Sequence, residues 1–137
     1  MTHFTQHGTF EEKAFATGRA SDLSPVIGEA VWVLGASDRY RSMTVDMLRA
    51  CVFEPILHQQ CIVFQKHGAP IAAAFWAVQV EGWRAPTDGL LSMTRADWRA
   101  GSVPTLVDII APFGDEEQFR NSADRRLKHE IALRHSA

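Results

Sequence analysis

The sequence predicts a mixed α/β (α+β) layer fold, and three observations carry that expectation. Residues 61–65 and 70–80 are strand-like runs joined through His67-Gly68, the signature of an antiparallel hairpin. Residues 103–110 form a third strand-like run, rich in Leu, Val and Ile and closed by Pro112 and Gly114. Segments with helical spacing lie between and after these runs, which gives strands with helices at intervals and no internal repeat.

Taken in order, residues 1–24 mix polar residues with a weakly helical Phe10-Glu11-Glu12-Lys13-Ala14-Phe15-Ala16 segment. Gly18 and Ser21-Asp22 are expected to break it before Pro25, so this stretch reads as a tail or an appended helix. Ala30-Val31-Trp32-Val33-Leu34, bounded by Gly28 and Gly35, is either a buried first strand or a tight helical turn, since so short a run has no deciding period. Thr44 is placed to cap a helix over residues 45–53 with Val45, Leu48 and Val52 on one face, and Pro55 is expected to end it. The second strand of the hairpin is almost wholly apolar and therefore central. Residues 88–93 suggest a short helix, and Asp97-Trp98-Arg99-Ala100-Gly101 a turn that delivers the chain into the third strand. After Gly114, acidic Asp115-Glu116-Glu117 and basic Arg125, Arg126, Lys128 and Arg134 bracket a helix. Phe119, Ala123, Leu127 and Ile131 recur along it every four residues, and the charge order suits its dipole.

Bulk properties narrow the function classes. With 137 residues, 46% hydrophobic and 22% charged, the chain fits one compact domain. A formal charge of −2 gives no basic footprint for nucleic acid. The N-terminus lacks the apolar centre of a signal peptide, and the longest apolar run is too short to span a bilayer, so a cytoplasmic location is expected. Cys51 and Cys61 lack C-x-x-C spacing and read as reduced, packed thiols, and the six scattered histidines predict no metal. Trp32 and Trp76 read as core packing, and Trp98 as a turn anchor.

One residue stands apart. Asp108 interrupts the apolar run Leu106-Val107-Asp108-Ile109-Ile110, where a carboxylate needs compensation. It either satisfies neighbouring backbone N–H groups or serves as a tuned catalytic carboxylate.

Several motifs along the chain, taken together, resemble the toxin-activating lysine acyltransferases, the hemolysin-activating proteins encoded beside RTX toxins. They are Gly28 with Trp32, Ala36-Ser37-x-x-x-Arg41, Pro55, Gln60, Gly68-x-Pro70-Ile71-Ala72 leading to Trp76-Ala77, and Asp97-Trp98-x-x-Gly101. The most specific is Asp108-x-Ile110-Ala111-Pro112-Phe113-Gly114-Asp115. The resemblance implies a GNAT-like fold, with a mixed central sheet flanked by helices, that takes a fatty acyl group from acyl carrier protein to a lysine ε-amine of an RTX-type protein. It implies no bound cofactor, a homodimer, and Asp108 and Ser37 at catalytic positions.

Two departures qualify that resemblance. The family carries histidine in a Ser-x-x-His-Arg motif, whereas this chain has Ser37-Asp38-Arg39-Tyr40-Arg41, with Tyr40 at the histidine position. A phenol is a poor base at neutral pH but a competent donor, so Tyr40 is assigned to the leaving thiolate or the oxyanion and Asp108 to the amine proton. The alternative is a catalytically silent relative that binds a partner protein or acyl carrier protein. The second departure is length, which implies that the family's last strand is missing. Residues 28–137 then form the acyltransferase-like domain and residues 1–27 an N-terminal extension. Arg41 and Arg99 are candidates for the acidic surface or phosphate of the carrier protein. A coenzyme A loop of the Q/R-x-x-G-x-G/A type is absent from the sequence.

Overall fold

A computed structural model describes residues 10–13 and 20–135. Its centre is a four-stranded antiparallel meander of β1 (Glu11–Lys13), β2 (Cys61–Lys66), β3 (Ala69–Gln79) and β4 (Val103–Ile110), in the spatial order β1-β2-β3-β4. Helix α1 (Ala20–Gly35) and the segment of α2 (Val45–Leu48), a wide π turn (Arg49–Phe53) and α3 (Glu54–Leu57) cover one face. Helix α4 (Glu116–His135) covers the other. Short 3-10 turns at Gly89–Ser92 and Arg95–Trp98 lead into β4.

The hairpin forms where the sequence places it. His67 and Gly68 take φ of 52° and 80°, the paired left-handed conformations of a tight turn whose twist matches the strands. β3 is paired on both sides and buried on both faces. Its Ala73, Phe75 and Ala77 meet the α1 side, while Ala72, Ala74 and Trp76 meet α4. On the α4 side, Phe10, Phe64 and Phe119 pack with ring centroids 4.8–5.3 Å apart, which pins the helix to the sheet. Phe119, Ala123 and Leu127 are its buried stripe, as their spacing predicts.

Several expectations are corrected. The Phe10-to-Ala16 segment is not helical over its described part: Glu11–Lys13 pairs with β2, and residues 14–19 lie outside the described residues. Ala30-Val31-Trp32-Val33-Leu34 is helix, with Ala30, Val33 and Leu34 buried and Val31 and Trp32 outward, a 3.6-residue pattern. That helix begins at Ala20 and runs through Ser21, Asp22 and Pro25, across residues 27 and 28. Pro25 lies near its start, where one lost backbone bond is outweighed by burial of Leu23, Val26, Ala30 and Val33.

Thr44 caps α2, its Oγ1 accepting from Met47 N–H at 3.1 Å, but Val45 faces solvent. Pro55 does not end the helical segment, which continues to Leu57 with Pro55 buried at the start of α3. The wide turn before it leaves carbonyls off the regular ladder, and Trp98 Nε1–H donates to the Ala50 carbonyl at 2.7 Å. Trp98 is therefore a fully buried core residue more than a turn anchor. Trp76 is core, as predicted, whereas Trp32 is 70% exposed. Cys51 and Cys61 are free, buried thiols, and burial pushes both up from their ordinary pKa. No helix among the described residues is long and apolar enough to cross a membrane.

Candidate functional site

The site lies where the loop after α1 meets the C-terminal end of β4. At the end of α1 the backbone turns sharply: Ser37 N–H bonds to Leu34 O at 3.0 Å, and Ser37 O accepts from both Tyr40 and Arg41. This turn swings Tyr40 inward, to 2% exposure, among Val33, Val52 and Leu90 of the α1-side core.

Asp108 reaches the same place through a backbone irregularity. Phe75 pairs with Asp108 but Trp76 pairs with Leu106, so Val107 is an extra residue in β4. Regular alternation would put Leu106 and Asp108 on one face. The bulge instead leaves Leu106 and Ile109 toward α4, while Val107 and Ile110 belong to the α1-side core and Asp108 contacts Tyr40 there.

The resulting polar network is dense. Tyr40 O–H donates a short hydrogen bond to Asp108 Oδ2, and Arg39 Nη1 reaches the same oxygen at 2.8 Å. Asp108 Oδ1 accepts from Ile109 N–H at 2.9 Å. Tyr40 oxygen in turn accepts from Leu90 N–H at 3.0 Å. Asp108, 12% exposed, thus satisfies both readings of the sequence at once: it binds backbone N–H and joins a side-chain constellation. Burial first, and then the Asp108 carboxylate, push the Tyr40 phenol well above its ordinary pKa. The neighbouring Tyr40 side chain, and then the Asp108 carboxylate, push the Arg39 guanidinium above its ordinary pKa. Its plane also lies over the Tyr40 ring, 5.5 Å from the centroid.

These groups border a cavity of about 330 Å³ that also takes in Ser37, Asp38, Pro112 and Glu116. The structure therefore brings together Ser37, Tyr40 and Asp108 of the residues predicted from sequence. Arg41 points to Asp38 at 3.4 Å and does not line this cavity. Arg99 bridges to Val78 near the far end of β3, also away from it. The guanidinium at the site belongs to Arg39, which the sequence does not single out. It gave no signal there, because its partner is 69 positions away.

A second residue missed by sequence is Gly89. At φ +62° its position admits a side chain only with strain, and a Cβ there would stand 2.1 Å from Tyr40 oxygen and 2.7 Å from Asp108 Oδ2. The Asp88-Gly89 pair is a turn signal, but what it makes room for is visible only in three dimensions. Among the described residues, no group of His, Cys, Asp and Glu could hold a metal ion.

A sequence model described as the RTX toxin acyltransferase family matches residues 19–136. The chain is 32% identical over 91 residues to the RTX-I toxin-activating lysine-acyltransferase ApxIC of Actinobacillus pleuropneumoniae, covering 66% of this chain and 53% of that one. It is 24% identical over 109 residues to the protein-lysine myristoyltransferase HlyC of Escherichia coli, covering 79% and 63%. It is 39% identical over 75 residues to the lysine-acyltransferase RtxC of Vibrio cholerae serotype O1, covering 52% and 47%. In these three alignments the chain spans about half to two thirds of the relative's length. A match over residues 19–136 makes this chain a member of the RTX toxin acyltransferase family.

Proposed function

We propose that this chain carries the acyl-transfer site of a protein-lysine acyltransferase, moving a fatty acyl group from acyl carrier protein to a lysine ε-amine of an RTX-type protein. The observation that carries the proposal is the Tyr40–Asp108 hydrogen bond opening on a cavity with Ser37 and Arg39. Asp108 takes a proton from the attacking amine, directly or through water. Tyr40 gives its proton to the departing thiolate. A phenol raised above its ordinary value surrenders a proton only as one is returned, and the existing Tyr40-to-Asp108 bond supplies the path by which Asp108 returns it. The amine nitrogen forms the amide bond, the thioester C–S bond breaks, and one proton has passed from amine to sulfur. Arg39 uses one of its donors on Asp108 and keeps others for the oxyanion of the tetrahedral intermediate. Ser37 orients the turn and lines the cavity.

A GNAT-like arrangement, a cytoplasmic location and a homodimer complete the reading. Free thiols at Cys51 and Cys61 fit a reducing compartment. The outer edge of β4, unpaired among the described residues, fits self-association. The test is acylation of a lysine peptide from acylated carrier protein by the full chain. Loss in Asp108→Asn and in Tyr40→Phe supports the relay, and parental rates in both overturn it.

One observation favours a second reading, that of a binding protein without turnover. Tyr40 is buried, its proton is committed to Asp108, and its oxygen already accepts from Leu90. Under that reading the parent transfers nothing, while Tyr40→His, which restores the family's imidazole, either awakens transfer or leaves a protein that only binds acylated carrier.

A further inference from the structure

Beside the polar cavity lies an apolar groove of about 500 Å³, lined by Gly28, Val31, Trp32, Gly35, Ala36 and Phe113. The two spaces adjoin: Ala36 lines both, and Phe113 directly follows Pro112 of the polar cavity. Trp32 is outward-facing on α1 and Phe113 is likewise exposed, so the walls of the groove are two large aromatics that the core does not use. Its floor is bare. Gly28 and Gly35 stand two helical turns apart, on the same stripe as Trp32, and a Cβ added to either would meet nothing within 4 Å. Glycine within a helix is unfavourable, and neither position is glycine because of crowding or a left-handed φ.

We propose that this groove holds the methylene chain of the acyl donor, with its thioester carbonyl at the Tyr40–Asp108 end. The inference rests on the acyl-transfer reading for the head group that occupies the polar cavity. An apolar groove that adjoins a polar pocket fits a linear hydrocarbon attached to a polar, reacting head. The aromatic walls supply area without losing much rotamer freedom. The missing Cβ atoms at Gly28 and Gly35 leave depth for the chain to lie against the helix backbone. A chain so held is recognised by length, through burial that grows with each methylene.

The test measures equilibrium binding of a homologous series of linear acyl-pantetheine thioether analogues, inert to transfer, to the full chain. Affinity is expected to rise about fourfold per methylene until the groove is filled, then level off. Trp32→Ser and Phe113→Ser remove solvent-exposed walls, so they retain the parental melting temperature while flattening the dependence on length. Gly28→Leu, which fills the floor at a position with open space, moves the plateau to shorter chains. Affinity independent of chain length, or the same dependence in the parent and all three variants, overturns the proposal. If Trp32→Ser converts a dimer to a monomer in light scattering with length dependence intact, the groove belongs to a second copy and the proposal falls. Lysine acylation, assayed separately, distinguishes the two levels. Groove-dependent binding without transfer leaves the groove standing and sinks the acyl-transfer reading; transfer with flat length dependence does the reverse.

Discussion

Replacing Gly89 by alanine should disarm the site without substituting any of its functional side chains. The added Cβ would lie 2.1 Å from the Tyr40 oxygen, far inside any real contact, and 2.7 Å from Asp108 Oδ2. Holding alanine at φ +62° costs about 1–2 kcal/mol. Displacing the phenol removes a hydrogen bond to a charged group, worth about 1.5–3 kcal/mol. Together these give roughly 3–5 kcal/mol of destabilisation, a fall in melting temperature of roughly 10–20 °C for a chain of this size. Urea denaturation measures the first quantity and scanning calorimetry the second. Lysine acylation should fall by about 100-fold or more in the fraction that remains folded, because the proton path from Asp108 to Tyr40 is broken. A Gly89→Ala protein with parental stability and parental transfer would refute the reasoning: Tyr40 and Asp108 would then not meet at this glycine.

Further outcomes follow from the same network. Tyr40 is the only tyrosine in the chain, so tyrosinate absorbance reports it alone. Its folded pKa is raised above the unfolded value of about 10, so its stabilisation is complete below pH ~10 and is lost as pH climbs toward the folded value. Tyrosinate should therefore appear only above pH ~10 and together with unfolding, and earlier in Asp108→Asn; an onset at the free-phenol value in the folded protein would contradict the burial and the bond to Asp108. Arg39→Ala should cost less than about 1 kcal/mol of stability, because the guanidinium is 51% exposed. It should nevertheless slow transfer by roughly 100-fold if Arg39 serves the oxyanion. Trp98→Phe should cost about 1–3 kcal/mol in urea denaturation by stranding the Ala50 carbonyl of the wide turn.

What the sequence disclosed and what it hid differ by the range of the forces involved. The hairpin was legible because His67-Gly68 encodes its turn locally, and α4 because Phe119, Ala123 and Leu127 repeat along the chain. Asp108 was legible as an anomaly, a carboxylate among aliphatics, and Tyr40 as an exchanged residue in a motif. Helix α1 was hidden because Ser21-Asp22 and Pro25 are local breakers, and only burial of its stripe overrides them. β1 was hidden because Glu11-Glu12-Lys13 has neither strand composition nor length, and its pairing with β2 is bought by Phe10 in the aromatic cluster. Arg39 and Gly89 owe their importance to contacts with residues far along the chain, which no window of neighbours contains. Trp32 misled in the opposite direction: an aromatic in an apolar run reads as core, yet the helical phase turns it outward.

The extra residue at Val107 has a consequence for how β4 tolerates change. Before the bulge, Leu106 faces α4; after it, Ile109 does, three positions later where a regular strand would require an even interval. A saturation scan along β4 will therefore show no single two-residue rhythm. Across the bulge, the residues that answer to α4, Leu106 and Ile109, stand three apart, and so do those that answer to the α1-side core, Val107 and Ile110. Read without coordinates, such a scan would be taken to mark the end of the strand. It marks instead the place where the backbone slips by one residue to present a carboxylate on the face that holds Tyr40.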